Sequence, residues 1–229
     1  MTKGNDVFSV LTGDVVNSSQ LVIKNRAKLP DILKASFSLA KEIIPRSIHS
    51  DLDIFRGDSF QGVLRNPELS LKASLLIRTQ LIFKLSDTKI RKAVDARIAI
   101  GIGTIDFVPK NRKGSEGDGQ AFKLSGIGLD EMKKNQRLVI RTPWSEINEE
   151  LETECALIDG LINRWSGVQA EAMAMQLQNK TQEEMAKELG IKQPAVFLRL
   201  KSAGGWAVDV FCRRFEALIK KAKYKPQDL

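Results

Sequence analysis

The sequence contains very little histidine or cysteine, which limits the chemistry it can perform. His49 is the only histidine among 229 residues, and this excludes metal centres built from several imidazoles and any mechanism that needs two of them. It lies in the polar stretch RSIHSD, which we interpret as a solvated loop. Cys155 and Cys212 are far apart, and neither has a second ligand at metal-binding spacing. We therefore expect two buried, reduced thiols.

Long apolar runs are also absent. No stretch approaches the roughly 18 successive apolar residues that a membrane-spanning helix needs. The N-terminal sequence MTKGNDVFSV lacks the basic and then apolar order of a signal peptide. We therefore expect a cytoplasmic location and no membrane partner. The glycine-rich stretches GIGTID and GSEGDG lack the spacing of dinucleotide-binding and P-loop motifs.

The formal charge of +8 is unevenly distributed along the chain. Residues 143–191 contain ten acidic and three basic residues, whereas residues 192–229 contain nine basic and three acidic ones. A basic surface concentrated in one part of a chain is typical of a module that binds a polyanion.

The order of apolar patterns predicts an α+β protein. Apolar and β-branched runs predict strands at residues 6–13, 51–55, 59–64, 93–103 and 137–142. Amphipathic periodicity predicts helices at residues 29–44, 67–85 and 120–134, the last one interrupted by Gly126 and Gly128. The order β-α-β-β-α-β, followed by α-β, describes a ferredoxin-like or palm antiparallel sheet with helices on one face.

The pattern becomes entirely helical after Thr142. We therefore place a domain boundary before Pro143, with a palm-like domain at residues 1–142 and an all-α domain at residues 143–229. Two capping boxes predict helix starts in the second domain; they pair Ser166 with Gln169 and Thr181 with Glu184.

Residues 181–203 have the pattern of a helix-turn-helix. Ala186 is small where two helices must cross closely, and Gly190 can adopt the left-handed conformation that ends the first helix. Pro194 suits the first turn of the second helix. The apolar positions that continue the core are Met185, Leu189, Ile191, Val196 and Leu200.

We expect the second helix of this motif to lie in the major groove of double-stranded DNA. Gln193 can read a base edge, and the basic side chains can contact phosphates. Phe197 is aromatic, which is unusual on such a surface. Its ring would contact either a thymine methyl group or a dimer partner. A helical bundle that binds proteins is the alternative. The expected DNA contacts are Lys192, Gln193, Phe197, Arg199 and Lys201.

Two aspartates fall at places that a palm sheet brings together. Asp14 follows the first strand in TGDVV, and Asp58 lies at the bend of FRGDS between the second and third strands. With the backbone carbonyl of Val15, they would supply oxygen ligands for Mg²⁺ or Mn²⁺, and the ion would hold nucleotide phosphates. Alternatively, Asp58 only favours a tight turn beside Gly57.

The ordered motifs LTGDVVNSS, FRGDSFQGVL, DARIAIGIG and GDGQAF resemble those of class III nucleotide cyclases and the related diguanylate cyclase palm. The chain resembles still more closely the SatD-like family of bacterial proteins, which joins such a domain to a C-terminal helix-turn-helix. The resemblance implies metal ligands at Asp14 and Asp58 and a phosphate contact at Arg56. The cyclase helix after the fourth strand carries an Asn that binds ribose and an Arg that stabilises the transition state. DGQAFKLSGIGLDEM offers Lys123 instead, which we expect to contact the nucleotide.

Three functions remain open from the sequence. The first is a DNA-binding transcriptional regulator whose palm-like domain binds a nucleotide. It would act as a homodimer, because one recognition helix buries too little surface for strong specific binding. The second is an enzyme, a nucleotide cyclase or nucleotidyltransferase that makes a signalling nucleotide. The third is a scaffold whose helices bind protein.

Overall fold

In the described part of the chain, strands and helices alternate and then give way to helices alone. The computed structural model describes residues 6–44, 46–55, 58–87, 94–108 and 117–223. Its strands are β1 (Phe8–Val16), β2 (Ile48–Phe55), β3 (Ser59–Leu64), β4 (Asp95–Gly103) and β5 (Leu138–Arg141). Its helices are α1 (Ile23–Arg26), α2 (Leu29–Ile43), α3 (Ser70–Lys84), α4 (Gln120–Asp130), α5 (Ser145–Ile162), α6 (Gly167–Leu177), α7 (Gln182–Leu189), α8 (Gln193–Ser202) and α9 (Gly205–Lys223). None of the helices in these ranges is both long and apolar enough to cross a membrane.

The strands form one sheet in the order β2-β3-β1-β4-β5. β1 pairs antiparallel with β3 and β4, and β2 pairs antiparallel with β3. This is the ferredoxin-like arrangement of a palm. β5 extends the sheet parallel to β4, which requires a crossover connection that α4 supplies. The predicted α+β fold with a palm-like sheet is therefore confirmed.

The sheet is covered by helices on both faces, so the prediction of helices on one face was wrong. Leu11 and Val15 of β1 lie in the main core with the apolar side chains of α2 and α3. Phe8 and Val10 point the other way and pack with Phe122 of α4 in a smaller cluster. The parallel pairing of β4 and β5 explains the difference, because the crossover helix between them lies on the second face.

Gly101 of β4 permits this second layer. A Cβ atom there would lie 2.1 Å from the carbonyl oxygen of Ala121 and 2.4 Å from the backbone nitrogen of Ser125. The helix backbone therefore rests directly on the strand, at a distance that only glycine allows.

α4 continues through its two glycines, and the predicted interruption at Gly126 and Gly128 was wrong. A glycine inside a helix costs only about 1 kcal/mol relative to alanine. The buried face of α4, which includes Ala121, Phe122 and Ser125, offsets this cost by packing on the sheet.

β2 begins at Ile48, three residues earlier than expected, because residues 48–50 pair with the end of β3. His49 therefore lies in a strand and not in a solvated loop, and its ring centroid is 5.1 Å from that of Phe8. Both cysteines are free, Cys155 buried and Cys212 partly buried. Burial raises the pKa of both thiols, that of Cys212 to about 12.

The helical part begins after β5 and packs on the sheet layer. Both predicted capping boxes form, at the starts of α6 and α7, and Gly190 adopts the left-handed conformation at φ 64° between α7 and α8. α6 packs against α3, and α5 lies beside β5. One hydrophobic cluster contains residues from both parts, and the domain boundary at Thr142 and Pro143 stays a prediction.

A buried arginine ties the two parts together. Arg78 of α3 is fully buried and donates to Asp95 at the start of β4, with Nη2 to Oδ2 at 2.8 Å, and to Asp159 of α5, with Nη1 to Oδ1 at 2.6 Å. Burial alone would lower the pKa of Arg78, but the two carboxylates raise it, so the guanidinium stays charged. The second oxygen of Asp159 accepts the backbone N–H groups of Arg137 and Leu138.

Candidate nucleotide and DNA sites

The backbone brings Asp14 and Asp58 to the same end of the sheet. Asp14 lies opposite Ser59 in the pairing of β1 with β3. The N–H of Val15 donates to the carbonyl oxygen of Asp58 at 3.1 Å. The expected neighbourhood of the two acidic residues is therefore present in the backbone. Arg56, two residues before Asp58, lies outside the described residues.

The two carboxylates, however, have different partners. Arg97 of β4 lies directly opposite Asp14, where its Nε donates to Oδ1 at 3.0 Å and its Nη2 donates to Oδ2. The hydrogen bond to Asp14 is the main cause that raises the pKa of Arg97. Asp58 Oδ2 accepts a hydrogen bond from the Ser18 hydroxyl at 2.8 Å.

These side chains, as they lie, do not fit a divalent cation. Mg²⁺ requires a nearly octahedral set of oxygen ligands, whereas both oxygens of Asp14 are bonded to Arg97 and one oxygen of Asp58 is bonded to Ser18. Among the residues that the structure describes, no group of three or more His, Cys, Asp or Glu side chains could hold a metal ion. The expected Mg²⁺ or Mn²⁺ site is thus not assembled in this arrangement.

A row of hydrogen bonds crosses the same sheet face two residues from Asp14. Gln61 Nε2 donates to the Thr12 hydroxyl at 2.7 Å, and Thr12 Oγ1 lies 2.9 Å from Ser125 Oγ. The Ser125 hydroxyl also lies within hydrogen-bonding distance, 3.0 Å, of the carbonyl oxygen of Phe122. This row links β3, β1 and α4 and fixes the side chain of Gln61 beside the candidate site.

Lys123 lies near a different acidic residue, Asp118. Its Nζ lies 4.0 Å from Oδ1 of Asp118, and both side chains are exposed. The start of α4 packs over Gly103, because Gln120 lies against that residue. Ser125, two residues after Lys123, contacts Thr12 of β1, so the middle of α4 lies over the part of the sheet next to Asp14.

The outer side of α8 carries the polar residues expected at a DNA surface. Lys192, Gln193 and Lys201 are exposed, while Val196 and Leu200 on the opposite side are buried in the core. The two faces of α8 therefore agree with the sequence-based expectation.

Two of the five expected DNA contacts form a hydrogen bond or ion pair with a side chain of another helix. Arg199 Nη1 lies 3.2 Å from Oε2 of Glu171 on α6, and both side chains are about three-quarters buried. Gln193 Nε2 donates to Oε1 of Gln182 on α7. Arg199 therefore holds α8 against α6. Gln193 is exposed, so contact with a base would require only that its hydrogen bond to Gln182 break.

An apolar surface lies beside these polar residues. Phe197 is half-exposed, with Lys201 Nζ 5.9 Å from its ring centroid. Leu198 is 61% exposed and Trp206, at the start of α9, is 78% exposed. These three large apolar side chains are exposed on α8 and at the start of α9.

The predictions from sequence did not include Arg97, which pairs with Asp14 at the candidate site, or Arg78, which is buried between the two parts. Arg97 lies within the apolar strand pattern DARIAIGIG, and a charge in such a strand indicates an ion partner on a neighbouring strand. Arg78 is flanked by apolar residues in α3, where the same signal applies. Neither signal names the partner, because Asp14 and Asp159 are both more than 80 positions away.

Comparisons with known proteins give distant likenesses. No protein-family model matches the chain, and no curated protein sequence matches it. The chain is similar to the solved guanylyl cyclase domain of the RhoGC fusion protein from the aquatic fungus Blastocladiella emersonii, at 18% identity and a TM-score of 0.44 over 60% of this chain and 80% of that one. It is similar to adenylate cyclases from Trypanosoma brucei in their monomeric state, at 11% identity and a TM-score of 0.43 over 61% and 75% of the two chains.

The active GGEEF domain of a diguanylate cyclase from Vibrio cholerae is also similar, at 18% identity and a TM-score of 0.38 over 59% of this chain and 83% of that one. The palm assignment rests on the strand order described above and not on these scores. The resemblance to the SatD-like family and the helix-turn-helix assignment stay predictions.

Proposed function

We propose that the chain is a DNA-binding regulator that contacts double-stranded DNA through α7 and α8. The observation that carries the proposal is the two-sided character of α8. Lys192, Gln193 and Lys201 are exposed along one side, while Val196 and Leu200 fix the other side in the core. Two short helices joined through a left-handed glycine are the geometry by which a helix-turn-helix presents its second helix to the major groove.

The charges of α8 support a phosphate-binding role. Lys192 and Lys201 form no salt bridge with any residue that the structure describes, and both are exposed. Their charges are therefore free to replace the counterions of DNA phosphates, which is the main source of affinity in such complexes.

A homodimer and a cytoplasmic location belong to this proposal. Two copies would double the DNA surface that one recognition helix can bury. Leu198 and Trp206 are candidates for the surface between copies, because both are apolar and exposed. Light scattering should give the mass of a dimer, and Trp206→Ser should shift it towards the monomer.

DNA binding is tested by fluorescence anisotropy with duplexes of random sequence at several salt concentrations. We expect the affinity to fall with salt, and the double variant Lys192→Ala/Lys201→Ala to bind more weakly with a log–log salt slope lower by about two, since each phosphate contact contributes about 0.9. The matched control is Lys24→Ala/Lys34→Ala, which removes two exposed lysines of the palm-like part. Equal losses in both variants, or binding independent of salt, would reject the proposed surface and favour the protein-binding scaffold.

We further propose that the end of the sheet around Asp14 and Asp58 binds a nucleotide and that binding changes the arrangement of the two DNA-binding units. The palm-like strand order and the backbone contact between Val15 and Asp58 support this assignment. Arg56 and Lys123 are proposed contacts. Because a ligand that binds only the folded state stabilises it, each nucleoside triphosphate should be tested for a rise in melting temperature and for a change in DNA affinity.

The second candidate is a nucleotide cyclase or nucleotidyltransferase, favoured by the same placement of Asp14 and Asp58. It would require these carboxylates and the Val15 carbonyl to hold Mg²⁺ or Mn²⁺, and Arg97 to leave Asp14. Incubation with each ion and each of the four nucleoside triphosphates, followed by separation of products, tests it. A product that Asp58→Ala abolishes would establish the enzyme, whereas no product in any mixture would leave the regulator.

A further inference from the structure

The ion pair between Asp14 and Arg97 lies at the end of the sheet where nucleotide binding is proposed. Both oxygens of the carboxylate are engaged by the guanidinium. The side chains are 23% and 35% exposed, so the pair is partly shielded and still open to a ligand from solvent. Partly shielded pairs interact more strongly than fully exposed ones, because the local dielectric is lower.

The guanidinium of Arg97 keeps donors to spare. An arginine has five N–H groups in a planar fork, and Asp14 takes one from Nε and one from Nη2. No other acceptor among the described residues is bonded to Arg97, so the remaining three N–H groups are available. A planar fork of this kind suits phosphate oxygens.

We propose that Arg97 is the resident cation of this site: its guanidinium holds the position beside Asp14 that a divalent ion would need and offers its remaining N–H groups to a phosphate. The inference rests on the proposed nucleotide binding and specifies its chemistry. The ligand is a phosphate-bearing nucleotide that binds without a divalent ion. It follows that the chain differs at this point from a site in which two carboxylates hold a metal.

The first test measures Mn²⁺ binding alone, by the loss of the electron paramagnetic resonance signal of free Mn²⁺. We expect the wild-type chain to show no site that depends on Asp14. Arg97→Gln should gain one, with affinity higher by about tenfold or more, because an adjacent positive charge is removed and a carboxylate is freed. Arg97→Lys, which keeps the charge, should stay like the wild type. The double variant Asp14→Asn/Arg97→Gln should lose the gained site.

The second test measures binding of a nucleoside triphosphate in the presence of EDTA and then of Mn²⁺, by calorimetry. The wild type should bind equally well in EDTA. Arg97→Gln should lose binding in EDTA by about tenfold or more, since a charge-assisted contact is removed, and should regain it when Mn²⁺ is added. A residue with only a structural role would not show this rescue, and matched melting curves establish that the variants are folded.

The outcomes separate this inference from the nucleotide proposal. If the wild type binds Mn²⁺ through Asp14 as tightly as Arg97→Gln does, or if EDTA abolishes its triphosphate binding, Arg97 is not the resident cation and nucleotide binding still stands. If no variant binds any triphosphate under either condition, nucleotide binding is rejected, and with it the phosphate role of Arg97. The Mn²⁺ measurements alone then decide whether Arg97 blocks a cation site.

Discussion

Two arginines form ion pairs with aspartates inside the fold, and the two differ in how deeply they are buried. Arg97 lies on a partly open face of the sheet with one carboxylate, whereas Arg78 lies at the centre of the molecule with two. A charge that is buried as deeply as Arg78 must be paired, because removal from water costs several kcal/mol. The deeper arginine therefore has a role in stability, and the shallower one is free to serve a ligand.

Loss of Arg78 should strongly destabilise the protein. Arg78→Ala leaves Asp95 and Asp159 buried without their counter-ion, and removing one partner of such a network typically costs about 3–5 kcal/mol. Urea denaturation measures the change in the free energy of unfolding. The matched control is Arg213→Ala, whose pair with Asp209 is largely exposed and should cost less than about 1 kcal/mol. Similar losses in the two variants would contradict the role of the buried network.

At the scale of elements, the second face of the sheet depends on how closely α4 can approach β4. The contact passes over Gly101, and the helix crosses its own glycines without a break. Sequence periodicity predicted that this helix exists but not on which face of the sheet it packs. The reason is that the parallel pairing of β4 with β5, which sets the crossover, is a long-range property.

Two glycine substitutions should have opposite effects on stability. Gly101→Ala places a methyl group against the backbone of Ala121, and overpacking of this kind typically costs about 1–3 kcal/mol. Gly126→Ala meets nothing within 4 Å and should stabilise α4 by about 0.5–1 kcal/mol. Thermal denaturation should give a lower melting temperature for Gly101→Ala and a higher one for Gly126→Ala. A neutral Gly101→Ala would mean that α4 does not rest on β4.

The outer surface of α5 should make stability depend on pH through Glu154. Burial raises the pKa of Glu154, Glu150 raises it further, and Arg214 opposes them. A raised pKa in the folded state means that the folded protein holds this proton more tightly, so the contribution of Glu154 to stability falls as pH rises above the ordinary Glu pKa. We therefore expect Glu154→Gln to raise the melting temperature at pH 7 and to leave it unchanged at pH 4. If Glu154→Gln is less stable than the wild type at pH 7, folding does not raise the pKa of Glu154.

At the scale of the whole molecule, the sheet and the helical part share one core. The sequence predicted the palm order and both capping boxes, because periodicity and capping are local signals. It predicted the two sides of α8 for the same reason. It did not predict the partner of Arg97, nor that Arg78 and Asp159 join the two parts, because those contacts connect residues far apart in the chain.

A shared core predicts a single unfolding transition. All three tryptophans, Trp144, Trp165 and Trp206, lie in the helical part, so their fluorescence reports on that part alone. The β-sheet band of the infrared spectrum reports on the palm-like part. The two signals should have the same midpoint in thermal unfolding, as two-state behaviour requires. Separate midpoints would mean that the boundary at residues 142 and 143 divides independent folding units.

Hydrogen exchange of the full chain with and without duplex DNA tests most directly whether α8 is the DNA-binding element. With DNA bound, we expect slower amide exchange in the turn around Gly190 and along α8, with the exposed faces of α1 and α2 unchanged. Protection confined to the palm-like part, or no protection at saturating DNA, would contradict a DNA-binding role for α8.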